Sequence, residues 1–245
     1  MQTCRDVGRE PRACDFRSDG GAGLVDDFAP ALQVVSTPVP SASGSYPVGT
    51  ASFGALLSSS GVSGQLMPIY IQTGGTGPGC EPFNALNIAA ANHNIVLIDR
   101  GVCGFAVKAK NAQDAGAIGV VIANNVPGSP PPGLGGTDPT IVIPAVSVSQ
   151  DDGAKLKAAM QFRSRTRSGV VATLGINGAQ LAGADPAGRV LLYTPNPYLP
   201  GSSVSHWDTI AFRNLLMEPA INGDLLHEVK PPADLTRPLF VDLGW

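Results

Sequence analysis

The stretch that decides the fold is Asn94–Asn124, which reads NIVLIDRGVCGFAVKAKNAQDAGAIGVVIAN. Residues 94–99 form an apolar run that is too short for a helix and is typical of a buried strand. Apolar residues then recur at positions 105, 109, 112 and 115, the spacing of one helix face, and Gly116 is a typical helix stop. A second buried strand is predicted at 117–123. The order strand, helix, strand predicts a right-handed crossover and parallel pairing of the two strands.

The flanking sequence predicts more short strands and one more helix. Apolar, β-prone stretches predict strands at 31–36, 51–57, 64–71, 140–147 and 169–174. Pro144 interrupts the fourth of these, so we expect that strand to lie at an edge or to bend. Ser149, with Asp152 three residues later, is a capping-box variant that predicts the start of a helix running to about Phe162.

Composition indicates a β-rich protein with a real core. The chain has 245 residues, of which 43% are hydrophobic and 14% are charged. The 30 glycines and 22 prolines are about a fifth of the chain and argue for many turns and against a helical bundle. No charged residue occurs from Phe28 to Cys80, but Gly, Ser and Pro interrupt this stretch, so it does not predict a membrane span.

Charge argues against a nucleic-acid partner. The formal net charge is −3, and the only short basic run is Arg163-Ser-Arg165-Thr-Arg167. Low charge with much Ser, Thr and Gly predicts a secreted protein. The N-terminal residues lack the apolar core of a signal peptide, so an exported form is expected to have a longer precursor.

The four cysteines lie at positions 4, 14, 80 and 103. Their even number and wide spacing fit two disulfides, Cys4–Cys14 and Cys80–Cys103, and the alternative is four buried free thiols. The absence of a C-x-x-C motif disfavours a zinc knuckle or a thioredoxin-like site.

The central stretch resembles the protease-associated (PA) domain. The matching positions are Asp99, Arg100, Gly101, Cys103, Phe105, Lys108, Asn111, Ala112, Gln113, Ala115, Gly116, Ala117, Gly119, Val120, Ala123 and Asn124, followed by Gly136, Thr137, Asp138, Ile143, Pro144, Val146, Val148 and Ser149. The resemblance covers about residues 31–175. It implies an α+β fold, a small β-barrel-like sheet with short flanking helices, and a Cys80–Cys103 bridge. It also implies a non-catalytic module of secreted or luminal proteases that mediates protein contacts or restricts substrate access.

Residues 31–175 show no pattern of a catalytic site. No Ser/His/Asp set or paired carboxylate cluster is visible there, and His93, the only histidine, is expected to be a surface or structural residue. Asp99 and Arg100 resemble an active pair, but the favoured interpretation is that they fasten the turn after a buried strand. The long Pro/Gly loop Asn124–Pro139 is the predicted contact surface.

The character of the sequence changes near residue 176, which predicts a tail at 176–245, a PA domain at 31–175 and an N-terminal arm at 1–30. Within the tail, about residues 185–245 resemble the C-terminal part of a leishmanolysin-like (metzincin) zinc metallopeptidase, mostly irregular or helical. The residues that carry this resemblance are Ser-His-Trp at 205–207, Leu-Met-Glu-Pro at 216–219 and the apolar end at 239–245. It implies His206 as the third zinc ligand and Met217 as the Met-turn residue. Asp208 and Glu218 are expected to be structural.

The chain lacks the His-Glu-x-x-His motif that such a zinc site requires. The nearest string, His227-Glu228-Val229-Lys230-Pro231, has proline at the second histidine position, and proline breaks the helix that would place both ligands. We therefore expect that the chain begins after the zinc-binding helix. No catalytic residue and no cofactor are predicted in this chain, whereas zinc is predicted in the parent enzyme, with His206 contributing only when that motif is supplied elsewhere.

The predicted function is a non-catalytic interaction or substrate-access module of a secreted zinc endopeptidase. One alternative is a fragment of an active zinc peptidase whose other ligands come from upstream sequence. Another is an extracellular β-rich domain with no activity. The expected partners are a protein or peptide substrate and the missing half of the peptidase, with no nucleic acid and no membrane.

Overall fold

The computed structural model describes residues 28–70, 77–128, 130–181, 183, 191–195, 197–209, 215–220, 225, 229, 234–242 and 244. The chain forms two compact units, and one of them is Pro30–Ile176. The predicted Cys4–Cys14 disulfide, the N-terminal arm before residue 28 and the string at 227–231, apart from Val229, lie outside the described residues.

Eight strands and four α-helices occur in the described part of the chain. The strands are β1 (Phe28–Ser36), β2 (Gly44–Pro47), β3 (Gly49–Thr50), β4 (Val62–Pro68), β5 (Ile95–Asp99), β6 (Gly119–Ala123), β7 (Ala145–Val148) and β8 (Val170–Leu181). The helices are α1 (Ala85–Ala91), α2 (Phe105–Asp114), α3 (Gln150–Ala159) and α4 (Thr236–Asp242), and a short 3-10 helix spans Pro40–Ala42. None of the described helices combines the length and the apolar character needed to cross a bilayer.

The strands form one strongly curled sheet. Their order is β2-β1-β8-β4-β5-β6-β7-β3. The two edge strands, β2 and β3, are separated in sequence by the single residue Val48. A connection this short requires the two edges to approach each other, so the sheet curls into a barrel-like form. The predicted α+β, barrel-like fold with short flanking helices is confirmed.

The central strands are buried on both faces. β5 and β6 pair in parallel, with Leu97 opposite Val121 in the register. Leu97 and Val121 belong to one hydrophobic cluster, together with residues of β1, β7 and α3. The alternate residues, such as Val96 and Ile98, belong to a second cluster with the alanines of α2. Burial on both faces explains the unbroken apolar runs, and it confirms the predicted strand–helix–strand unit.

Both predicted helices have the expected end signals. Gly116, just after α2, has φ +85°, a conformation that L side chains rarely adopt, and a Cβ there would lie 2.8 Å from Asn92 Oδ1. At the start of α3, the Ser149 hydroxyl accepts a hydrogen bond from the Asp152 N–H at 3.1 Å. The helix ends at Ala159, three residues before the predicted end.

Two predicted strands differ from the structure, and strands β2 and β3 and helix α1 were not predicted. The strand predicted at 51–57 is wrong: only Ala51 makes an isolated bridge, to Leu134, and Gly54 turns the chain with φ +77°. The strand predicted at 140–147 begins only at Ala145, directly after Pro144, which has no N–H to donate to a ladder. Helix α1 was not predicted, because its seven residues are too few to show a helical period.

The second unit contains the described residues of the tail after Ile176. A small core there joins Trp207, Leu215 and Leu235, with Met217 packed against it. Besides the end of β8, the regular elements in the described part of this unit are helix α4 and one isolated bridge between Leu192 and Trp207. The mostly irregular or helical tail predicted from the sequence agrees with this description.

The burial of β5 on both faces leads to a prediction about the free energy of unfolding. Leu97→Ala should lower the free energy of unfolding by about 2–5 kcal/mol, because the side chain is 2% exposed and its removal leaves a cavity between β5, β6 and α3. Denaturant unfolding measures this change. The matched control is Val142→Ala, at a side chain that is 69% exposed, where a change within about 0.5 kcal/mol is expected. Equal losses in both variants would contradict the assigned core.

Candidate functional site

Asp99 and Arg100 hold the turn after β5 on both of its sides. Asp99 forms an ion pair with Lys157 of α3. The Arg100 N–H donates to the Ala123 carbonyl at 2.9 Å, and its guanidinium donates to Asn124 Oδ1 at 2.8 Å. These contacts join the ends of β5 and β6, which confirms that Asp99 and Arg100 fasten the turn.

A disulfide closes the same region. Cys80 and Cys103 are bonded, with a Cα–Cα distance of 5.8 Å and a separation of 23 residues along the chain. The predicted Cys80–Cys103 bridge is confirmed. In the chain-entropy treatment, a loop of this length contributes about 3 kcal/mol by restricting the unfolded chain. The bridge holds the segment before α1 against the turn before α2.

Lys108 of α2 lies beneath this turn, and its side chain is fully buried. Its ammonium group donates to the carbonyl of Pro78, to the carbonyl of Gly101 at 2.7 Å and to Cys80 Sγ at 3.7 Å. Burial lowers the pKa of Lys108 from 10.5 to about 8, while the nearby Asp99 carboxylate opposes this shift. The sequence contained the signal for this burial, because position 108 lies three residues after Phe105 and four before Ala112, on the apolar face of α2.

Val102 occupies the tip of the turn in a rare conformation. The Cys103 N–H donates to the Gly101 carbonyl at 2.9 Å, so Val102 is the centre of a three-residue turn with φ +71°. A β-branched residue is rarely found there, and such strain costs about 1–3 kcal/mol. The Val102 side chain is 91% exposed. The disulfide and Lys108 hold the residues on either side of it.

The loop predicted as the contact surface, 124–139, is anchored at several points. Leu134 is 2% exposed, its N–H donates to the Thr50 carbonyl at 2.9 Å, and its carbonyl accepts from the Ser52 N–H at 3.0 Å. Hydrogen bonds from the Thr140 hydroxyl and N–H hold the pKa of Asp138 below its usual range. Val126 remains half exposed. The assignment of this loop as a contact surface stays a prediction.

In the tail, the His206 ring is held by its neighbours. His206 Nδ1 lies 3.0 Å from the Ser202 carbonyl oxygen and 2.9 Å from the Ser205 hydroxyl. When Nδ1 carries the proton, it donates to this carbonyl, which only accepts, and Nε2 is then the acceptor nitrogen of the ring. The backbone N–H of the next residue, Trp207, donates to the Met217 carbonyl at 2.8 Å. The two segments singled out in the tail therefore lie side by side.

The remaining candidate residues have structural surroundings. His93 is an exposed turn residue with φ 57°, and its N–H donates to the Gly116 carbonyl at 2.8 Å. Glu218 is buried and its carboxylate accepts from the Leu215 N–H at 2.7 Å. His227 lies outside the described residues. Among the residues that the structure describes, no group of three or more His, Cys, Asp or Glu side chains is placed to hold a metal ion.

A comparison with protein families matches residues 62–156 to the family model of the PA domain. The predicted PA domain is confirmed over this range.

Curated proteins similar to this chain are peptidases. Leucine aminopeptidase 2 of Trichophyton equinum is 55% identical over 62 residues, which are 25% of this chain and 12% of that protein. Probable lipoprotein aminopeptidase LpqL of Mycobacterium tuberculosis is 35% identical over 99 residues, or 40% of this chain and 19% of that protein. Minor extracellular protease Vpr of Bacillus subtilis is 28% identical over 113 residues, or 45% and 14%. The chain thus spans between 12% and 19% of the length of these relatives.

Solved structures similar to this chain are also peptidases. BSAP, a zinc aminopeptidase from Bacillus subtilis, has a TM-score of 0.43 and 25% identity, covering 62% of this chain and 31% of that chain. The subtilisin-like protease Apa1 from Pseudoalteromonas sp. AS-11 has a TM-score of 0.39 and 19% identity, covering 61% and 34%.

These comparisons correct one expectation. The similar curated proteins are aminopeptidases and an extracellular protease, not leishmanolysin-like metallopeptidases. They support a peptidase setting for the PA domain, and they do not support the peptidase family that the sequence predicted for residues 185–245.

The buried ammonium of Lys108 gives a prediction about pH. Because its pKa is lower in the folded chain than in the unfolded chain, the unfolded chain binds more protons between pH 8 and 10.5. The free energy of unfolding contributed by Lys108 should therefore rise with pH in this window, by an amount on the order of 2–3 kcal/mol. Lys108→Met should lack this rise. At pH 7 it should also be about 2 kcal/mol less stable, since two carbonyls lose their donor.

Denaturant unfolding of the wild-type chain and of Lys108→Met at several pH values measures this effect. Lys110→Met is the matched control, because Lys110 lies on the same helix and its side chain is 35% exposed. Parallel pH profiles for the wild type and Lys108→Met would contradict the burial of this charge.

Proposed function

We propose that this chain acts as a non-catalytic protein-interaction or substrate-access module of a secreted zinc peptidase. The observation that carries the proposal is the PA-domain match over residues 62–156. Relatives named as aminopeptidases support the proposal that the parent protein is a peptidase. One similar structure is named as a zinc aminopeptidase, which agrees with the proposed zinc. A relative named as an extracellular protease supports secretion. The proposed partners are a protein or peptide substrate and the catalytic part of the peptidase.

The geometry around the β5 turn supports an interaction role. Asp99 and Arg100, the pair most similar to a catalytic pair, are occupied by Lys157, Asn124 and the backbone of β6. The turn itself is rigid and presents Val102 to solvent. A rigid scaffold that presents exposed apolar side chains loses little conformational entropy on binding a partner.

Incubation of the full chain with mixed peptides from a casein digest tests this proposal. We expect the immobilised chain to retain a subset of the peptides and to release them at unchanged mass, with and without added Zn²⁺. Metal analysis after dialysis should find less than one zinc per chain. Chelator-sensitive cleavage with stoichiometric zinc would contradict the non-catalytic role, and failure to retain any peptide would contradict the interaction role.

A second candidate function, a fragment of an active zinc peptidase with its other ligands supplied upstream, is favoured by the geometry at His206. Zinc-ligating histidines commonly donate their second ring N–H to a carbonyl or carboxylate, which fixes the ring and leaves the other nitrogen to bind the metal. The tautomer of His206 with the proton on Nδ1 has this arrangement, because Nδ1 lies 3.0 Å from the Ser202 carbonyl oxygen. We therefore propose His206 as a metal ligand of the parent enzyme.

The described residues do not by themselves fit a zinc ion. A catalytic zinc requires three protein ligands, and among the described part of the chain none of the His, Cys, Asp and Glu side chains form a group of that size. If completed elsewhere, the site would let zinc polarise a water molecule or a peptide carbonyl. What this chain contributes is the orientation of one imidazole.

Nitrogen-detected NMR of the histidine rings during zinc titration tests the role of His206. The second candidate predicts that zinc first shifts the Nε2 resonance of His206 while Nδ1 stays protonated. His206→Gln identifies the resonance, and His93→Gln is the matched control at an exposed ring. A first shift at another imidazole, or at His206 Nδ1, would contradict this assignment.

A further inference from the structure

A groove lies within the unit Pro30–Ile176, between the end of β4, helix α1 and the turn after α3. It has a volume of about 380 Å³ and is lined by Tyr70, Leu86, Gln161, Arg163, Ser164 and Arg165. This volume is within the range of small ligand-binding pockets. Its lining combines an apolar part, an amide, a hydroxyl and two guanidinium groups, and it contains no carboxylate.

The apolar side of the groove is fixed to the scaffold. The Asn87 amide donates to the Tyr70 carbonyl at 2.7 Å and its oxygen accepts from the Tyr70 N–H at 3.3 Å. Asn87 is 2% exposed, so this pair of hydrogen bonds is shielded from water. Leu86, on the same helix, is 61% exposed, and Tyr70 is 42% exposed. Two apolar side chains are thus presented to solvent from a backbone that is held in place.

The basic side of the groove is a turn that is closed by hydrogen bonds between its own residues. The Ser164 N–H donates to the Arg167 carbonyl at 2.8 Å, and the Arg167 N–H donates to the Ser164 hydroxyl at 3.1 Å. The turn is anchored before and after. Met160 is fully buried in the core, and the Ser168 N–H donates to Gln65 Oε1 at 3.1 Å. Arg165, at the tip, is therefore presented from a fixed backbone.

Arg163 joins the two sides. Its guanidinium carbon lies 4.7 Å from the centre of the Tyr70 ring, a cation–π distance. In the part of the chain that the structure describes, Lys110–Asp114 and Lys157–Asp99 form ion pairs, whereas no described carboxylate forms one with Arg163, Arg165 or Arg167. Arg163 also donates to the Ser164 carbonyl at 3.2 Å, so the three guanidinium groups form a local basic site with no described carboxylate beside them, in a chain of net charge −3.

We propose that this groove binds an acidic peptide segment, with carboxylates on Arg163 and Arg165 and an apolar side chain against Tyr70 and Leu86. The inference rests on the proposed interaction role and names the ligand class for it. A guanidinium group presents a planar pair of donors that matches a carboxylate, which makes arginine better suited to this contact than lysine. The fixed backbone on both sides lowers the entropy lost on binding.

A peptide fits the groove better than a sulfated polysaccharide does. Both would use the arginines, but a sulfated sugar has no aliphatic side chain to cover the exposed Leu86 side chain. A peptide that alternates acidic and apolar residues in an extended conformation places both kinds of side chain within the short span of the groove. The composition of the lining therefore selects the peptide.

Fluorescence anisotropy with the full chain tests the proposal. The probe is a short labelled peptide in which glutamate alternates with leucine, and the matched probe has glutamine in place of each glutamate. We expect the acidic probe to bind about tenfold or more tightly, a difference of about 1.4 kcal/mol, and its affinity to fall with added salt. Arg163→Gln/Arg165→Gln should remove about tenfold of this affinity, and Leu86→Ala about threefold.

The matched charge control is Lys110→Gln/Lys155→Gln, which removes two positive charges from residues outside the groove lining and should change the affinity by less than about twofold. Equal affinity for both probes would overturn the proposal that the groove binds an acidic peptide, and so would equal losses of affinity in the two double variants. If casein peptides are still retained, the proposed interaction role is unaffected by either result. Tighter binding of a heparin oligosaccharide that does not depend on Leu86 would also overturn it. Retention of no casein peptide at all identifies failure of the proposed function itself.

Discussion

The buried ammonium of Lys108 is the interaction on which the architecture of the β5 turn depends. It donates to carbonyls on two segments that are distant in sequence, one before α1 at Pro78 and one after β5 at Gly101. The Cys80–Cys103 disulfide joins the same two segments covalently. The Pro78 and Gly101 residues are partly buried, and the fully buried lysine side chain supplies hydrogen bonds to both carbonyls. The strained residue Val102 persists because its neighbours are fixed in this way.

Strands β5 and β6, which end at this turn, are buried on both faces and form the framework from which the exposed loops extend. Their alternate side chains enter two different hydrophobic clusters, one on each face of the sheet. The segments that leave the ends of these strands are consequently rigid at their roots and exposed at their tips. The basic turn 163–167 is built by the same rule, with Met160 buried on one side and Ser168 bonded to Gln65 on the other.

The elements that were predicted correctly are those specified by residues that lie close together in the sequence. The apolar runs of β5 and β6, the spacing of α2 and the Ser149 cap all lie within a few residues of the structure that they specify. The segment 51–57 looked like a strand because it is apolar, but its pairing depends on Leu134, which is distant in sequence. The groove was not predicted for the same reason, since Tyr70 and Arg163 meet only through the folded sheet. The basic run Arg163–Arg167 is too short to predict a nucleic-acid partner, and the sequence alone does not indicate the apolar side chains that lie beside it.

Hydrogen–deuterium exchange of the full chain, with and without the acidic peptide, tests most directly where this molecule makes contact. The account predicts that bound peptide slows exchange at the amides of 161–167 and of α1, while the loop 124–139 exchanges as before. Slowed exchange confined to 124–139 would contradict it and would place the contact surface at the Pro/Gly loop instead.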